Sequence, residues 1–84
     1  MKELKKGASI VITDINLSEI PVLATIIDYK TIQKESNIYQ IICIVYFEHY
    51  LVKVSREVLL DNKGEERLSS PYTLIEVISS SVYL

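Results

Sequence analysis

The stretch from Ile38 to Val54, IYQIICIVYFEHYLVKV, is an almost unbroken run of β-branched, aliphatic and aromatic residues. Residues of these types favour extended strands. Glu48 and His49 are its only adjacent polar pair, and they predict a tight reversal between two strands. The stretch therefore predicts a β-hairpin, with one strand over residues 38–47 and the next beginning at Tyr50.

Successive side chains of a strand point to opposite faces, so the hairpin has an inner and an outer set. The inner set of the first strand has no strongly polar member. It comprises Tyr39, Ile41, Cys43, Val45 and Phe47, continued in the second strand by Tyr50, Val52 and Val54. We therefore expect Cys43 to be buried and unreactive. The outer set still carries four large apolar side chains, Ile42, Ile44, Tyr46 and Leu51. We expect these four to form an interface, unless the loop at Ile15–Ile20 or the C-terminal segment Tyr72–Ile78 folds over them.

The rest of the chain also predicts strands. Residues 8–13 and 22–29 form the first two, joined by a long loop that Ile15, Leu17 and Ile20 pin to the body, and residues 30–37 form a polar turn. In the second strand residues 22, 24 and 26 share one face, and residues 23, 25, 27 and 29 share the other.

For two later segments the sequence does not decide between helix and strand. Residues 56–62 either continue the strand, with Arg56 as an exception to the alternation, or form a helix capped by Ser55. Residues 72–78 form a last strand or a helix begun by Pro71. Gly64 requires a positive φ under either interpretation of the turn at residues 61–64.

The length of 84 residues predicts a single domain over residues 1–84, with a frayed N-terminus at 1–6 and a short tail at 79–84. The composition is 49% apolar or aromatic and only 24% charged. A chain of this size buries roughly 60–65% of the surface of its unfolded form. Some apolar side chains must therefore stay outside, and an exposed apolar patch usually marks an interface. The expected fold is all-β, a five- to six-stranded antiparallel barrel or half-barrel.

The sequence offers little chemistry. Cys43 and His49 are the only residues of their types, and the chain has two glycines. No nucleophile–base pair, metal-ligand spacing or phosphate loop is present. We therefore expect no enzymatic activity, catalytic residue, cofactor or metal. The first apolar run is too short for a signal peptide, and no run could span a bilayer, so we expect a cytoplasmic protein.

The net charge of −2 does not suggest a nucleic-acid footprint, which needs several clustered cations. We therefore expect a protein partner, either a second copy of the chain in a homodimer or a larger host protein that it would serve as adaptor or inhibitor. A nucleic-acid-binding barrel is the alternative. Its surface would use Tyr29, Lys30, Lys34, Tyr46 and Lys53 for base stacking and phosphate contact.

The order of elements resembles small SH3-like barrels over roughly residues 6–60. Lys6-Gly7 precede a first strand and a long loop, followed by Ala24-Thr25-Ile26-Ile27, Tyr39-Gln40-Ile41-Ile42 and Tyr50-Leu51-Val52-Lys53-Val54. The resemblance implies the barrel fold. The acidic loop and tryptophan of peptide-binding SH3 domains are missing, so it does not imply recognition of proline-rich ligands. The composition also resembles that of small accessory proteins of AT-rich bacteria, their phages and plasmids.

Overall fold

The computed structural model describes residues 4–14 and 20–79. Within them the chain forms six strands: β1 (Ser9–Ile12), β2 (Val22–Gln33), β3 (Ile38–Phe47), β4 (Tyr50–Leu60), β5 (Glu66–Ser69) and β6 (Thr73–Ser79). The described residues contain no helix. The all-β prediction is confirmed, and both ambiguous segments are strands. The bulk of the predicted long loop and most of the predicted tail lie outside the described residues.

All strand pairs of the sheet are antiparallel, in the order β1-β2-β3-β4-β5. The long strand β4 carries two partners on its other edge, with β5 beside residues 58–60 and β6 beside residues 51–55. Ile12 forms a parallel bridge with Tyr72, and the Thr13 amide donates a 2.9 Å hydrogen bond to the Tyr72 carbonyl. These contacts bring the first strand against the start of the last one, so the sheet curls into a half-barrel.

The core lies on the concave side of the sheet, as the alternation of β3 and β4 predicts. Its buried members are Ile12, Ala24, Ile26, Ile41, Cys43, Val45, Val52, Val54, Val58 and Tyr72. The cysteine is fully buried, which confirms the predicted inner face of the hairpin. At the ends of the inner set Tyr39 and Phe47 are half-buried and Tyr50 is exposed, because they lie near the ends of their strands.

Strand β2 departs from the predicted pattern in two ways. It runs to Gln33, so the predicted turn at residues 30–37 is wrong over its first four residues, which instead pair with β3. A β-bulge between Ile26 and Asp28 also breaks the strict alternation. Thr25 lies opposite Tyr46 on the outer face, whereas Tyr29 lies opposite Cys43 on the inner face. The expectation that residues 25 and 29 share a face is therefore wrong, because the bulge inserts an extra residue between them.

Two of the hairpin turns contain a residue with a positive φ. Gly64 has φ +79°, which confirms the positive value predicted from the sequence. At the β3–β4 reversal Glu48 has φ +54°, an unusual conformation for a residue with a side chain. The segment before β1 is held to the body, because Leu4 packs against the core and the Gly7 amide donates a 2.8 Å hydrogen bond to the Ile26 carbonyl.

Candidate functional site

The convex face of the central strands carries the four apolar residues that the sequence singles out. Directly paired residues in antiparallel strands share a face, and Tyr46 pairs with Leu51 while Ile44 and Ile42 follow along β3. All four are half-buried. We call Ile42, Ile44, Tyr46 and Leu51 the outer patch.

The outer patch is not covered by β6. That strand joins the edge of β4 and does not fold across the face, so one of the two internal covers considered from the sequence is excluded. The loop near Ile20 lies largely outside the described residues. At the same end of the sheet Val11 and Leu23 extend the outer patch as a cross-strand pair, with exposed fractions of 47% and 69%.

Charged side chains flank the outer patch in one transverse row. Asp28 on β2 pairs with Ile44, which pairs with Lys53 on β4, and Lys53 pairs in turn with Glu76 on β6. The signs alternate along this row, with a negative charge on one side of Ile44 and a positive charge on the other. The Asp28 carboxylate also lies 3.7 Å from the Lys6 ammonium in an exposed ion pair.

The five residues of the nucleic-acid alternative lie partly together, because Tyr29, Lys30 and Lys53 line one shallow pocket of about 300 Å³ with Ile42 and Ile44. Lys30, Tyr46 and Lys53 belong to the convex face by register. Tyr29 lies opposite the core residue Cys43 in the register of the sheet, although it also borders the pocket that Lys30 and Lys53 line. The Lys34 ammonium lies 3.3 Å from the Glu57 carboxylate, which offsets its charge.

A second feature lies on the concave side, where Arg56 breaks the apolar alternation of β4. Arg56 pairs with the buried Ile41, and its guanidinium lies 4.9 Å from the centre of the Tyr72 ring, a cation–π distance. The same guanidinium donates a 3.4 Å hydrogen bond to the Glu66 carboxylate. The sequence alone shows Arg56 as a charged residue among the inward-facing positions of β4, but only the fold brings Tyr72 next to it.

Burial controls the ionisation of the groups beside Arg56. It raises the pKa of Tyr72 to about 12, and the neighbouring Cys43 adds to this shift while the positive charge of Arg56 opposes it. Burial likewise raises the pKa of the Cys43 thiol, although contact with Tyr72 partly offsets the change. Both groups are therefore neutral near pH 7, and the thiol is held away from its reactive thiolate form.

His49 is exposed at the β3–β4 reversal. No three side chains among His, Cys, Asp and Glu cluster closely enough to hold a metal ion in residues 4–14 and 20–79. In the same ranges no helix is long and apolar enough to cross a membrane.

Comparison of the chain with protein-family models, curated proteins and solved structures finds no match.

Proposed function

We propose that the protein is a non-enzymatic interaction module of the SH3-like type, which self-associates through its outer patch. The observation that supports this most is the row in which Asp28 and Lys53 flank Ile44. An apolar centre with opposite charges on its two sides matches a second copy of itself, because a two-fold axis exchanges the sides.

Two copies pack face to face, with a two-fold axis running along β3 between the sheets. The axis places β2 of each copy over β4 of the other. Asp28 of each copy then faces Lys53 of the partner subunit, so this contact occurs twice, and Ile44 meets the partner's Ile44 on the axis. Aligned sheets normally pack at about −30°, which this axis accommodates symmetrically.

Such a dimer would use more of the convex face than the outer patch. A standard interface takes about 800 Å² from each partner. The two longer extents of the molecule are 42 and 26 Å, so an interface of this size would take in most of the convex face and not the four half-buried patch residues alone. The apolar centre and charged margin also match the usual composition of interfaces.

The first test compares Ile44→Glu with the parent by light scattering and analytical ultracentrifugation. We expect a dimeric parent at about 100 µM, a concentration that an interface of standard size survives. Ile44→Glu should be a folded monomer, because Ile44 is outside the core. Val77→Glu is the matched control: Val77 on β6 is 48% exposed and lies opposite the core residue Val52, on the other face from the outer patch, so this variant should remain dimeric.

The second test uses the charged row. Asp28→Lys and Lys53→Asp should each weaken the dimer by placing like charges opposite each other. The double variant restores opposite charges across the axis and should recover dimerisation relative to either single variant. A monomeric parent at about 100 µM would overturn the proposal and leave the patch to a foreign partner. A dimer that all these substitutions leave unchanged would place the interface elsewhere.

A further inference from the structure

A slot opens in the wall of the half-barrel, between strand β1 and the segment 69–72. The two segments meet at the parallel bridge between Ile12 and Tyr72, and residues of both line the slot where that pairing stops. The slot has a volume of about 670 Å³, within the range of ~300–1,000 Å³ typical of ligand sites. It is separate from the outer patch, because none of the four patch residues lines it.

The free edge of β1 faces this slot. In an antiparallel pair, alternate residues direct their backbone N–H and C=O groups to the partner strand. The Ile26 amide donates a 2.8 Å hydrogen bond to the Ala8 carbonyl, so in the register of the two strands the even-numbered residues of β1 face β2. The odd-numbered residues direct their backbone groups to the slot, as the bond from the Thr13 amide to the Tyr72 carbonyl shows.

Two backbone groups on this edge, the Val11 amide and the Ser9 carbonyl, have no hydrogen-bond partner within residues 4–14 and 20–79. Both residues are exposed and both line the slot, so these groups are open to a ligand that enters it. Strand β1 also carries no proline and no charged side chain, the features with which proteins commonly block pairing at an edge. The edge is therefore a template for one more strand.

We propose that the slot binds an extended acidic peptide segment of another protein, which adds a strand to the free edge of β1. The Val11 amide and the Ser9 carbonyl supply its main-chain hydrogen bonds, in the mode of recognition where backbone pairing gives affinity and side-chain pockets give specificity. The opposite wall takes little part in the pairing. Pro71 has no amide hydrogen, and the Ser70 amide already donates a 2.9 Å hydrogen bond to the Glu57 carbonyl.

The side chains around the slot select the composition of the peptide. Its apolar lining includes Leu4, Ile10 and Ile26. Alternate residues of the peptide, which point to this lining, should therefore be apolar. The charged residues that line the slot in the described part of the chain, Lys5 and Arg56, are both positive. Glu66 offsets part of the Arg56 charge through their 3.4 Å ion pair, so Lys5 is the cation that a carboxylate of the peptide meets. An acidic peptide complements this charge, and a basic one is repelled.

The test uses EVEVEVE, a peptide of alternating glutamate and valine, and its charge-reversed counterpart KVKVKVK. Binding to the full chain is measured by fluorescence polarisation of the labelled peptides in about 0.15 M salt, and hydrogen exchange of single amides is followed by NMR. We expect EVEVEVE to bind saturably and at least about tenfold more tightly than KVKVKVK. The Val11 amide should exchange at least about tenfold more slowly when EVEVEVE saturates the chain, because it then forms a hydrogen bond. The Ile10 and Ile12 amides face β2, so their exchange should change little and serves as an internal control.

Val11→Pro and Val11→Ala form a matched pair of variants. Both remove the valine side chain, but only proline removes the amide hydrogen, at an edge position where the pairing with β2 does not use it. Val11→Pro should bind EVEVEVE about tenfold more weakly than Val11→Ala does, through the loss of one backbone hydrogen bond. Lys5→Glu should weaken the binding of EVEVEVE and strengthen that of KVKVKVK. Lys63→Glu makes the same charge change in the β4–β5 turn, away from the slot, and should bind both peptides as the parent does.

Four results would overturn the proposal. The first is no saturable binding of EVEVEVE up to about 1 mM, and the second is equal binding of the two peptides. The third is unchanged exchange of the Val11 amide with EVEVEVE bound, and the fourth is equal binding by Val11→Pro and Val11→Ala; either would place the peptide away from the edge. The exchange measurement uses the parent chain, so it decides the matter even if Val11→Pro fails to fold. Peptide binding tests the slot and molecular mass tests the dimer, so each proposal can fail without the other.

Discussion

Replacement of Gly64 by valine should lower the free energy of unfolding by about 1–2 kcal/mol, because a β-branched residue tolerates a positive φ poorly. Gly64 has φ +79° in the turn between β4 and β5. The turn holds this conformation firmly: the Gly64 amide donates a 3.0 Å hydrogen bond to the Asp61 carbonyl, and the Asp61 amide donates a 2.8 Å bond to the Glu65 carbonyl.

At Gly64 the effect of backbone strain can be measured without a steric clash. A Cβ atom added at Gly64 would meet nothing within 4 Å, so a new side chain has space and only the backbone conformation opposes it. Replacing glycine with alanine also lowers the conformational entropy of the unfolded chain, which raises the free energy of unfolding by about 0.4–1 kcal/mol and offsets part of the loss. We therefore expect Gly64→Ala to lose about 1 kcal/mol, less than valine, and to lower Tm by roughly 4–8 °C for a domain of this size.

The measurement is urea unfolding followed by circular dichroism, with the denaturant slope checked for constancy across the variants. Glu48→Gly is the control of opposite sign, since Glu48 has φ +54° and glycine relieves strain there. The Glu48 variant should be at least as stable as the parent. A Gly64→Val protein as stable as the parent would refute the reasoning from backbone conformation. An equal loss of stability in Gly64→Val and Glu48→Gly would refute it as well.

Two further predictions follow from burial and from the same turn. Cys43 should react with a thiol reagent many times more slowly in the native protein than in denaturant, because burial raises the pKa of its thiol; equal rates would contradict the predicted inertness. The Asp61 carboxylate accepts 2.9 Å hydrogen bonds from the Glu65 and Lys63 amides. These bonds lower the pKa of Asp61, and the bond from Glu65 has the larger effect. Its stabilising contribution should therefore be present above the unfolded pKa of about 3.9 and disappear as the pH falls through the lower folded value. Acid-titrated unfolding of Asp61→Asn should lack this component, and identical pH profiles for variant and parent would contradict the assignment.

The sequence alone determines the central hairpin. The bounds of β3 and the burial of Ile41, Cys43 and Val45 follow from strict alternation in a strand with one wholly apolar face. A positive φ at Gly64 likewise follows from local turn chemistry. These features depend on residues close together in the chain, so period and residue type are sufficient to specify them.

Only the tertiary structure decides the features that depend on distant segments. The bulge after Ile26 reverses the faces of β2, and no residue type in that strand announces it. The helix–strand ambiguity at 56–62 and 72–78 is resolved because both segments pair with other strands. Arg56 appears in the sequence only as an exception to a pattern, and it gains its cation–π contact because the curled sheet brings Tyr72, sixteen positions along the chain, to 4.9 Å from its guanidinium. Such contacts arise from the closure of the half-barrel, which local sequence preferences do not specify.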